Sequence, residues 1–199
     1  MSEIIELQFQ GRVLNWLKEI IAGEKLPFDV DQEVPIRTDG ELLRADLVIW
    51  EDKNRTKTAC VIELKRPEYN GYSLELTDKA MRKANFLGSP FFATWNVNEF
   101  VLWETFEEGT PLLDRRRWHR DVVAIKRIEE VRRREIEEKL KKFLREFLTK
   151  DFFEICYVKK KVPTLPLDRI FIDRLKSAVN TFYIRISEDL KEKHQKDAD

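Results

Sequence analysis

Residues 41–65 read ELLRADLVIWEDKNRTKTACVIELK, and this stretch decides the fold that the sequence predicts. Two apolar runs rich in strand-forming residues flank the polar segment EDKNRTK, a pattern that is typical of two neighbouring strands joined by a turn. A turn centred on Asn54 and Arg55 would place Asp46 opposite Glu63, about 5 Å apart between Cα atoms. The hairpin therefore predicts two carboxylates that meet across a strand pair.

The apolar pattern around this hairpin predicts a mixed α/β domain. Some segments repeat apolar residues at helical spacing, whereas others form short apolar runs bounded by turn residues. The predicted elements, in chain order, are a helix over residues 2–22, strands over 28–36, 41–50 and 58–64, a helix over 73–87, and strands over 91–95 and 99–104. This order indicates an α+β fold with a mixed central sheet flanked by helices.

Beyond this domain the sequence predicts a helical C-terminal extension. The charged segment 126–150 carries an apolar stripe at helical spacing. A last helix, capped by Asp168, carries another stripe at Phe171, Leu175, Val179, Phe182, Ile186 and Leu190. We therefore expect a first domain over residues 1–123 and a helical extension over residues 124–199.

The hairpin also predicts a candidate metal site. Side chains alternate between the faces of a strand, so Glu63 and Lys65 emerge on one face. Asp46, Glu63 and the backbone carbonyl of Leu64 offer the hard oxygen ligands that Mg²⁺ prefers, with Mn²⁺ as a substitute. Lys65 could orient a water molecule or stabilise charge on a phosphate. The alternative is an ordinary cross-strand salt-bridge cluster, because acid-x-Lys triplets recur elsewhere in the chain.

The first helix contributes a further acid. Glu6 lies on the same helical face as the apolar stripe, so it is not simply a solvated side chain. If Glu6 converges with the two strand acids and only Lys65 offsets their charge, like-charge repulsion should raise the pKa of at least one carboxyl group.

The net charge of zero conceals an asymmetry along the chain. Residues 1–110 carry 13 Lys and Arg against 20 Asp and Glu, whereas residues 111–199 carry 24 against 17. An acidic metal site beside a basic surface would suit a metal-dependent enzyme that acts on nucleic acid, and Arg116 and Arg117 in the run RRRWHR are candidate DNA contacts. The alternative is that these charges form solvated surface.

Several other chemistries are excluded. The chain has no GxxxxGK[ST], GxGxxG or HExxH motif, and its two histidines and two cysteines lack the spacing of a zinc site, a disulfide framework or a nucleophilic triad. No apolar run approaches the roughly 20 residues of a membrane span, and the first residues lack the order of a signal peptide. We therefore expect a cytoplasmic protein.

The array RADLVIW at 44–50 with ACVIELKRP at 59–67 resembles the PD-(D/E)XK nuclease superfamily. Within it, the array is similar to the nuclease domain of type I restriction subunits and of fused, type IIG-like restriction–methylation enzymes. The segment LGSPFFATWNVNEFVLWE at 87–104 resembles the core strand and closing hairpin of that family. The resemblance covers about residues 1–105 and implies a restriction-endonuclease-like fold.

The resemblance also implies roles for individual residues. Asp46 and Glu63 would bind the metal, and Lys65 would be the catalytic lysine. Glu6, or alternatively Glu3, would be the acid that this family often places on its first helix.

The sequence departs from the family at two motifs. Ala45 stands where the family has Pro, and the Gln-x-x-x-Tyr motif of type I nuclease domains falls on Lys79 and Lys83. These two lysines lie one turn apart on one helix face, where we expect them to contact DNA phosphate. The alternative is a solvated helix face.

Two functions remain open from the sequence. The first is a Mg²⁺-dependent DNA endonuclease, as the nuclease part of a restriction–modification enzyme whose methyltransferase, motor or specificity functions lie in other domains or subunits. The second is a module with a nuclease fold that binds DNA or a partner without cutting. Binding of Mg²⁺ or Mn²⁺ would distinguish them.

Overall fold

The computed structural model describes residues 2–38 and 40–163, together with the isolated positions 175, 179, 182 and 186; side chains are described from Glu6 onward. The chain forms two compact units, Met1–Thr164 and Leu165–Asp199. The elements of the first unit are helix α1 (Ser2–Gly23), strands β1 (Asp29–Arg37), β2 (Leu42–Trp50) and β3 (Thr58–Leu64), helix α2 (Leu74–Phe86), strands β4 (Phe91–Trp95), β5 (Glu99–Glu104) and β6 (Arg117–Asp121), and helix α3 (Arg134–Glu146).

The six strands form one mixed sheet in the order β1-β2-β3-β4-β5-β6. All neighbours are antiparallel except β3 and β4, which are parallel and are joined through α2. A parallel pair needs a crossover of this kind, whereas antiparallel neighbours can be joined by short turns. The α+β fold with a mixed central sheet and flanking helices, which the sequence predicts, is confirmed.

The pairing of β2 with β3 sets the geometry of the candidate site. Leu47 pairs with Ile62 and Val48 with Val61. The register shifts at an irregularity between Ile49 and Trp50, at the other end of the strand pair. The next step beyond Leu47 and Ile62 brings Asp46 to Glu63. This is the register that a turn at residues 54 and 55 predicts.

Apolar layers cover both faces of the sheet. The larger layer joins α1 and α3 to the sheet, and the smaller one joins α2 to it. Every residue of β3 and of β4 is buried, which explains why both strands are nearly continuous apolar runs in the sequence. The only ionisable carboxylate within these two strands is Glu63.

Helix α3 belongs to the core of the first unit. Leu140, Phe143 and Leu144 of this helix, and Phe147 just after it, are buried in the same apolar layer as α1. The structure therefore places the division of the chain after Thr164, and not after residue 123 as the sequence predicts. The apolar stripe of α3 covers a sheet face that would otherwise be exposed, so it cannot form a separate extension.

Strand β6 is an element that the sequence does not reveal. Its residues, RWHRD, combine basic and aromatic side chains without the apolar alternation of a strand, yet they pair with β5 at the edge of the sheet. Edge strands tolerate charged residues because one side of the strand faces solvent.

The second unit is described at four positions only. Leu175, Val179, Phe182 and Ile186 are helical and more than half exposed, and they are members of the apolar stripe that the sequence predicts for the last helix. The other members of that stripe, Phe171 and Leu190, and the cap at Asp168 lie outside the described residues. Among the described residues, no helix is long and apolar enough to cross a membrane.

The role of the α3 region in the sheet core can be tested with Phe147→Ala. The Phe147 side chain is fully buried and its ring lies 4.7 Å from that of Phe100 in β5. We expect a loss of about 3–5 kcal/mol in the free energy of unfolding, measured by urea denaturation. Phe106→Ala is the control, because Phe106 is 61% exposed and its removal should change stability by about 0.5 kcal/mol or less. Equal effects of the two substitutions would contradict this assignment of the core.

Candidate metal centre

A cleft of about 580 Å³ opens beside α1, next to the middle of β2 and the end of β3. Its walls include Glu6 and Gln10 from α1, Glu33 from β1, Asp46 from β2, and Lys65, which follows β3. Four chain segments that are distant in sequence thus deliver polar side chains to one cavity. Glu63 does not line the cleft, and its side chain is only 4% exposed.

Asp46 is held against the end of β3. Its Oδ2 atom accepts a hydrogen bond of 2.8 Å from the backbone N–H of Leu64. Its Oδ1 atom lies 3.7 Å from Nζ of Lys83. One oxygen of the carboxylate is therefore fixed by the main chain, and the other faces a cation.

Glu63 lies between two lysines. Its Oε2 atom is 2.5 Å from Nζ of Lys83, and its Oε1 atom is 3.7 Å from Nζ of Lys65. A carboxylate that is almost completely buried needs such partners, because an unpaired buried charge costs several kcal/mol.

Lys65 joins the strand acids to helix α1. Its ammonium donates a hydrogen bond of 3.1 Å to Oε1 of Glu6, and the second Glu6 oxygen lies 3.7 Å from Nε of Arg66. The structure thus brings Glu6, Asp46, Glu63 and Lys65, which the sequence singles out, into one cluster. The side chain of Glu3, the alternative acid on α1, lies outside those that the structure describes.

The environment shifts the pKa values of two groups in the cluster. Burial, followed by the neighbouring Glu63 carboxylate, raises the pKa of Asp46 to about 7, although the nearby lysines and the Leu64 N–H act in the opposite direction. Burial lowers the pKa of Lys65, but the three surrounding carboxylates outweigh this effect and the net shift is upward. The sequence predicts a raised carboxyl pKa from like-charge repulsion; the structure adds desolvation as the larger cause.

Lys83 is a second cation of the cluster, a position that the sequence does not reveal. Its side chain is 12% exposed and points from α2 towards Asp46 and Glu63. Lys79, one turn earlier, is 55% exposed and pairs with Glu75 at 2.6 Å. The two lysines therefore do not form one surface for DNA phosphate as predicted, because α2 packs on the sheet with its Lys83 side inward.

The two arginines predicted to contact DNA also differ from each other. Arg116 is partly exposed and lies 3.9 Å from Glu104 and 4.0 Å from Glu107. Arg117 is only 3% exposed, and its guanidinium lies 5.1 Å from the ring centroid of Trp103. The burial of Arg117 disagrees with a direct contact to DNA, because this side chain points into the apolar layer under α2.

Gln10 and Glu33 are cleft residues that sequence analysis missed. Gln10 lies four residues after Glu6 on the same face of α1, so helical spacing could have identified it. Glu33 belongs to β1, and its backbone has a φ of 51°, in the left-handed region that non-glycine residues rarely adopt. Nothing in the sequence signals that conformation.

A tighter group of ligand atoms lies elsewhere. Glu99, His119 and Asp121 place ligand atoms within 4.8 Å of one another on strands β5 and β6. Nε2 of His119 is 3.4 Å from a carboxylate oxygen of Asp121, which is 69% exposed. These residues do not line the cleft, and Asp121 lies on the exposed edge strand β6. We therefore assign the candidate metal centre to the cleft.

The residues of the cleft fit a hard divalent cation. Asp46 and Glu63 supply carboxylate oxygens from adjacent strands, and the main chain of Leu64 lies beside Asp46. An oxygen-only set of this kind suits Mg²⁺ or Mn²⁺ better than softer metals. A cation would also relieve the repulsion that raises the pKa of Asp46.

Comparison with known proteins supports the fold. No family model and no curated protein matches the chain. The type IIG restriction endonuclease BpuSI is similar in structure, with a TM-score of 0.53 and 15% identity over 74% of this chain. A DUF820 protein from Anabaena variabilis ATCC 29413 has a TM-score of 0.41 and 10% identity, over 70% of this chain and 82% of its own, which is too weak to bear on the fold.

The similarity to BpuSI is one of fold. This chain spans 16% of the length of that enzyme. Together with the mixed sheet and its flanking helices, the similarity shows that the chain has a restriction-endonuclease-like nuclease fold.

The raised pKa of Asp46 predicts a pH-dependent stability. Between its ordinary value of 3.8 and its folded value of about 7, the folded protein keeps a proton that the unfolded chain releases. The contribution of Asp46 to stability is therefore complete below pH 3.8 and is lost as the pH rises through about 7. Without metal, we expect Asp46→Asn to be more stable than the parent at pH 8 by about 1 kcal/mol or more, and by less at pH 5.

Urea denaturation in EDTA at the two pH values measures this difference. Asp78→Asn on α2 is the matched control and should show no comparable gain with pH. A destabilised Asp46→Asn protein at pH 8 would mean that the carboxylate acts mainly as a salt-bridge partner.

The burial of Lys83 predicts a different effect from that of Lys79. Lys83→Met removes the closest partner of a buried carboxylate, and we expect it to lower the free energy of unfolding by roughly 3–5 kcal/mol in EDTA. Lys79→Met removes an exposed ion pair and should change it by about 0.5 kcal/mol or less. Similar free energies of unfolding for the two variants would contradict the inward position of Lys83.

Proposed function

We propose that this protein is a Mg²⁺-dependent DNA endonuclease of the PD-(D/E)XK type. The observation that carries the proposal is the convergence of Asp46, Glu63 and Lys65 at one cleft, in the order and on the strands that the resemblance implies. The restriction-endonuclease-like fold, which is similar to that of the type IIG restriction endonuclease BpuSI, supports it.

The residues of the cleft divide the chemistry between them. Asp46 and Glu63, with the carbonyl of Leu64, would hold Mg²⁺, which when bound supplies an acidic centre for activating water and neutralising phosphate charge. Lys65 stays protonated because its pKa is raised, so it can donate a hydrogen bond to a phosphate oxygen or to the attacking water. Glu6 orients the Lys65 ammonium through their 3.1 Å hydrogen bond.

The metal-binding state of Asp46 depends on pH. A carboxyl group binds Mg²⁺ in its deprotonated form, and the pKa of Asp46 is about 7 without metal. Metal affinity should therefore rise as the pH increases from about 6 to 8.

The proposed substrate is double-stranded DNA. Lys79 at the cleft wall and the partly exposed Arg116 are the basic side chains that we propose for contacts with phosphate. The similar type IIG enzyme is a far longer protein, which supports a role as the nuclease part of a restriction–modification system. Methyltransferase, motor or specificity functions would then come from other domains or subunits.

One observation favours the second candidate, a module with a nuclease fold that binds without cutting. Lys83 lies against both proposed metal-binding carboxylates, so two lysines already neutralise much of the charge of three acids. If the lysines are permanent partners, the cleft would bind no metal. This candidate predicts a folded protein that is indifferent to Mg²⁺.

Nicking and cleavage of plasmid DNA test the catalytic role of Lys65. We expect Lys65→Ala to lose at least 100-fold in cleavage rate, because an electrostatic or proton-transfer contribution of one side chain is about 10²–10⁴. Lys53→Ala, on the exposed turn between β2 and β3, is the control and should cleave at the parental rate. Circular dichroism should show the parental fold for both variants. Cleavage by Lys65→Ala at the parental rate would overturn this role.

Isothermal titration with Mg²⁺ and Mn²⁺ separates the two candidate functions. The endonuclease proposal predicts saturable heat in the parent at pH 8 and none in an Asp46→Asn, Glu63→Gln double variant. Absence of heat in the parent, with and without DNA, would favour the binding module.

A further inference from the structure

We propose that Gln10 and Glu33 form a positioning pair that sets the metal-binding geometry of Asp46. The side-chain amide of Gln10 donates hydrogen bonds to the backbone carbonyl of Asp46 and, at 2.9 Å, to Oε1 of Glu33. Both residues line the cleft. The inference rests on the endonuclease proposed above, since it concerns how that site holds its cation.

Helix α1 reaches the site with two side chains one turn apart. Glu6 bonds to Lys65 after β3, and Gln10 bonds to the main chain of Asp46 in β2. Residues separated by four positions share one helix face, so the orientation of α1 about its axis determines both contacts. The helix thereby fixes the two strands relative to each other at the point where their carboxylates meet.

Gln10 is a buried polar residue with a specific partner set. It is 4% exposed, and most of its neighbours on that side of α1 are apolar. A buried amide is stable only when its hydrogen-bonding groups are satisfied, and here Asp46 and Glu33 supply the acceptors. The apolar contacts of α1 would hold the helix on the sheet without this amide, so its position indicates a role in the cleft.

Glu33 occupies a strained backbone position opposite Asp46. Residues on either side pair regularly with β2, Gln32 with Leu47 and Val34 with Ala45, but Glu33 has a φ of 51°. The left-handed conformation is unfavourable for a residue with a side chain, because Cβ comes too close to the following carbonyl oxygen. Such strain persists where surrounding contacts hold it, and it is found most often at functional sites.

Asp46 is consequently fixed from two sides. Its carboxylate accepts the Leu64 N–H, and its backbone carbonyl accepts the Gln10 amide, which Glu33 holds in place. A metal-binding carboxylate whose supporting hydrogen bonds are lost typically loses 10- to 100-fold in metal affinity. Gln10 and Glu33 would act through Asp46 and do not need to touch the metal or DNA.

The test measures Mg²⁺ affinity by isothermal titration at pH 8 and stability by urea denaturation in EDTA. The variants are Gln10→Met, which keeps the side-chain length, and Glu33→Gly, which removes the partner of Gln10. We expect both to bind Mg²⁺ about 10- to 100-fold more weakly than the parent. We expect Glu33→Gly to be at least as stable as the parent, because glycine adopts a φ of 51° without strain.

Two further variants distinguish a positioning role from direct binding of the metal. Gln8→Met makes the same chemical change on the exposed side of α1 and should leave Mg²⁺ affinity unchanged. Glu33→Gln retains an oxygen that accepts from Gln10, so a positioning role predicts near-parental affinity, whereas a direct metal ligand would lose it. A large loss of affinity in Glu33→Gln would therefore overturn the positioning role.

The outcomes distinguish this inference from the proposed function. If the parent binds Mg²⁺ and Glu33→Gly and Gln10→Met bind it equally well, the positioning pair is wrong and the endonuclease proposal stands. If the parent binds neither Mg²⁺ nor Mn²⁺, the proposed function fails and the inference fails with it. Should Gln10→Met unfold, the stable Glu33→Gly variant alone decides.

Discussion

The antiparallel pairing of β2 with β3 is the constraint on which the site depends. Leu47 opposite Ile62 is the pair that brings Asp46 to Glu63. A shift of one residue would turn every side chain of a strand to the other face, so the carboxylates would enter the apolar layer. The register is protected because both faces of β3 are buried, so a shift would move the charged Glu63 side chain away from its lysine partners and into the opposite apolar layer.

The charge cluster is tolerated because its members are mutually paired. Three carboxylates and two lysines converge from α1, β2, β3, α2 and the segment after β3, and the hydrogen bonds among them compensate part of the desolvation. The compensation is incomplete, as the raised pKa of Asp46 shows. Because burial and the Glu63 carboxylate disfavour the charged form of Asp46, this carboxyl group is partly protonated near neutral pH, and a bound cation would stabilise its charged form. The two lysines, which already lie close to these carboxylates, determine how strongly the cation binds.

The two faces of the sheet contribute differently to this arrangement. Helix α2 supplies Lys83 from one face, whereas α1 supplies Glu6 and Gln10 at the strand ends. Helix α3 supplies none of these three side chains, yet Phe143 of α3 and Phe147 just after it pack against Phe100 of β5, in the apolar layer that also contains the inward side of α1. The domain is therefore larger than the segment that resembles nucleases in sequence.

The secondary-structure elements and the central pair of acids follow from local sequence patterns. Apolar periodicity located the first two helices and five strands to within about a residue or two, and the turn at residues 54 and 55 predicted the register of β2 and β3. These features are local, since each depends on the spacing of neighbouring residues. Glu6 and Lys65 also followed from spacing.

Which other residues join the site depends on the packing of segments that are distant in the sequence. Lys83 and Arg117 carry the same charge as exposed basic residues, and their burial depends on how α2 and β6 pack. Strand β6 has no strand pattern, because its pairing with β5 outweighs its weak local preference. The left-handed backbone of Glu33 arises where α1, β1 and β2 meet. Burial, desolvation and strain are properties of contacts between distant segments, and for that reason spacing along the chain does not reveal them.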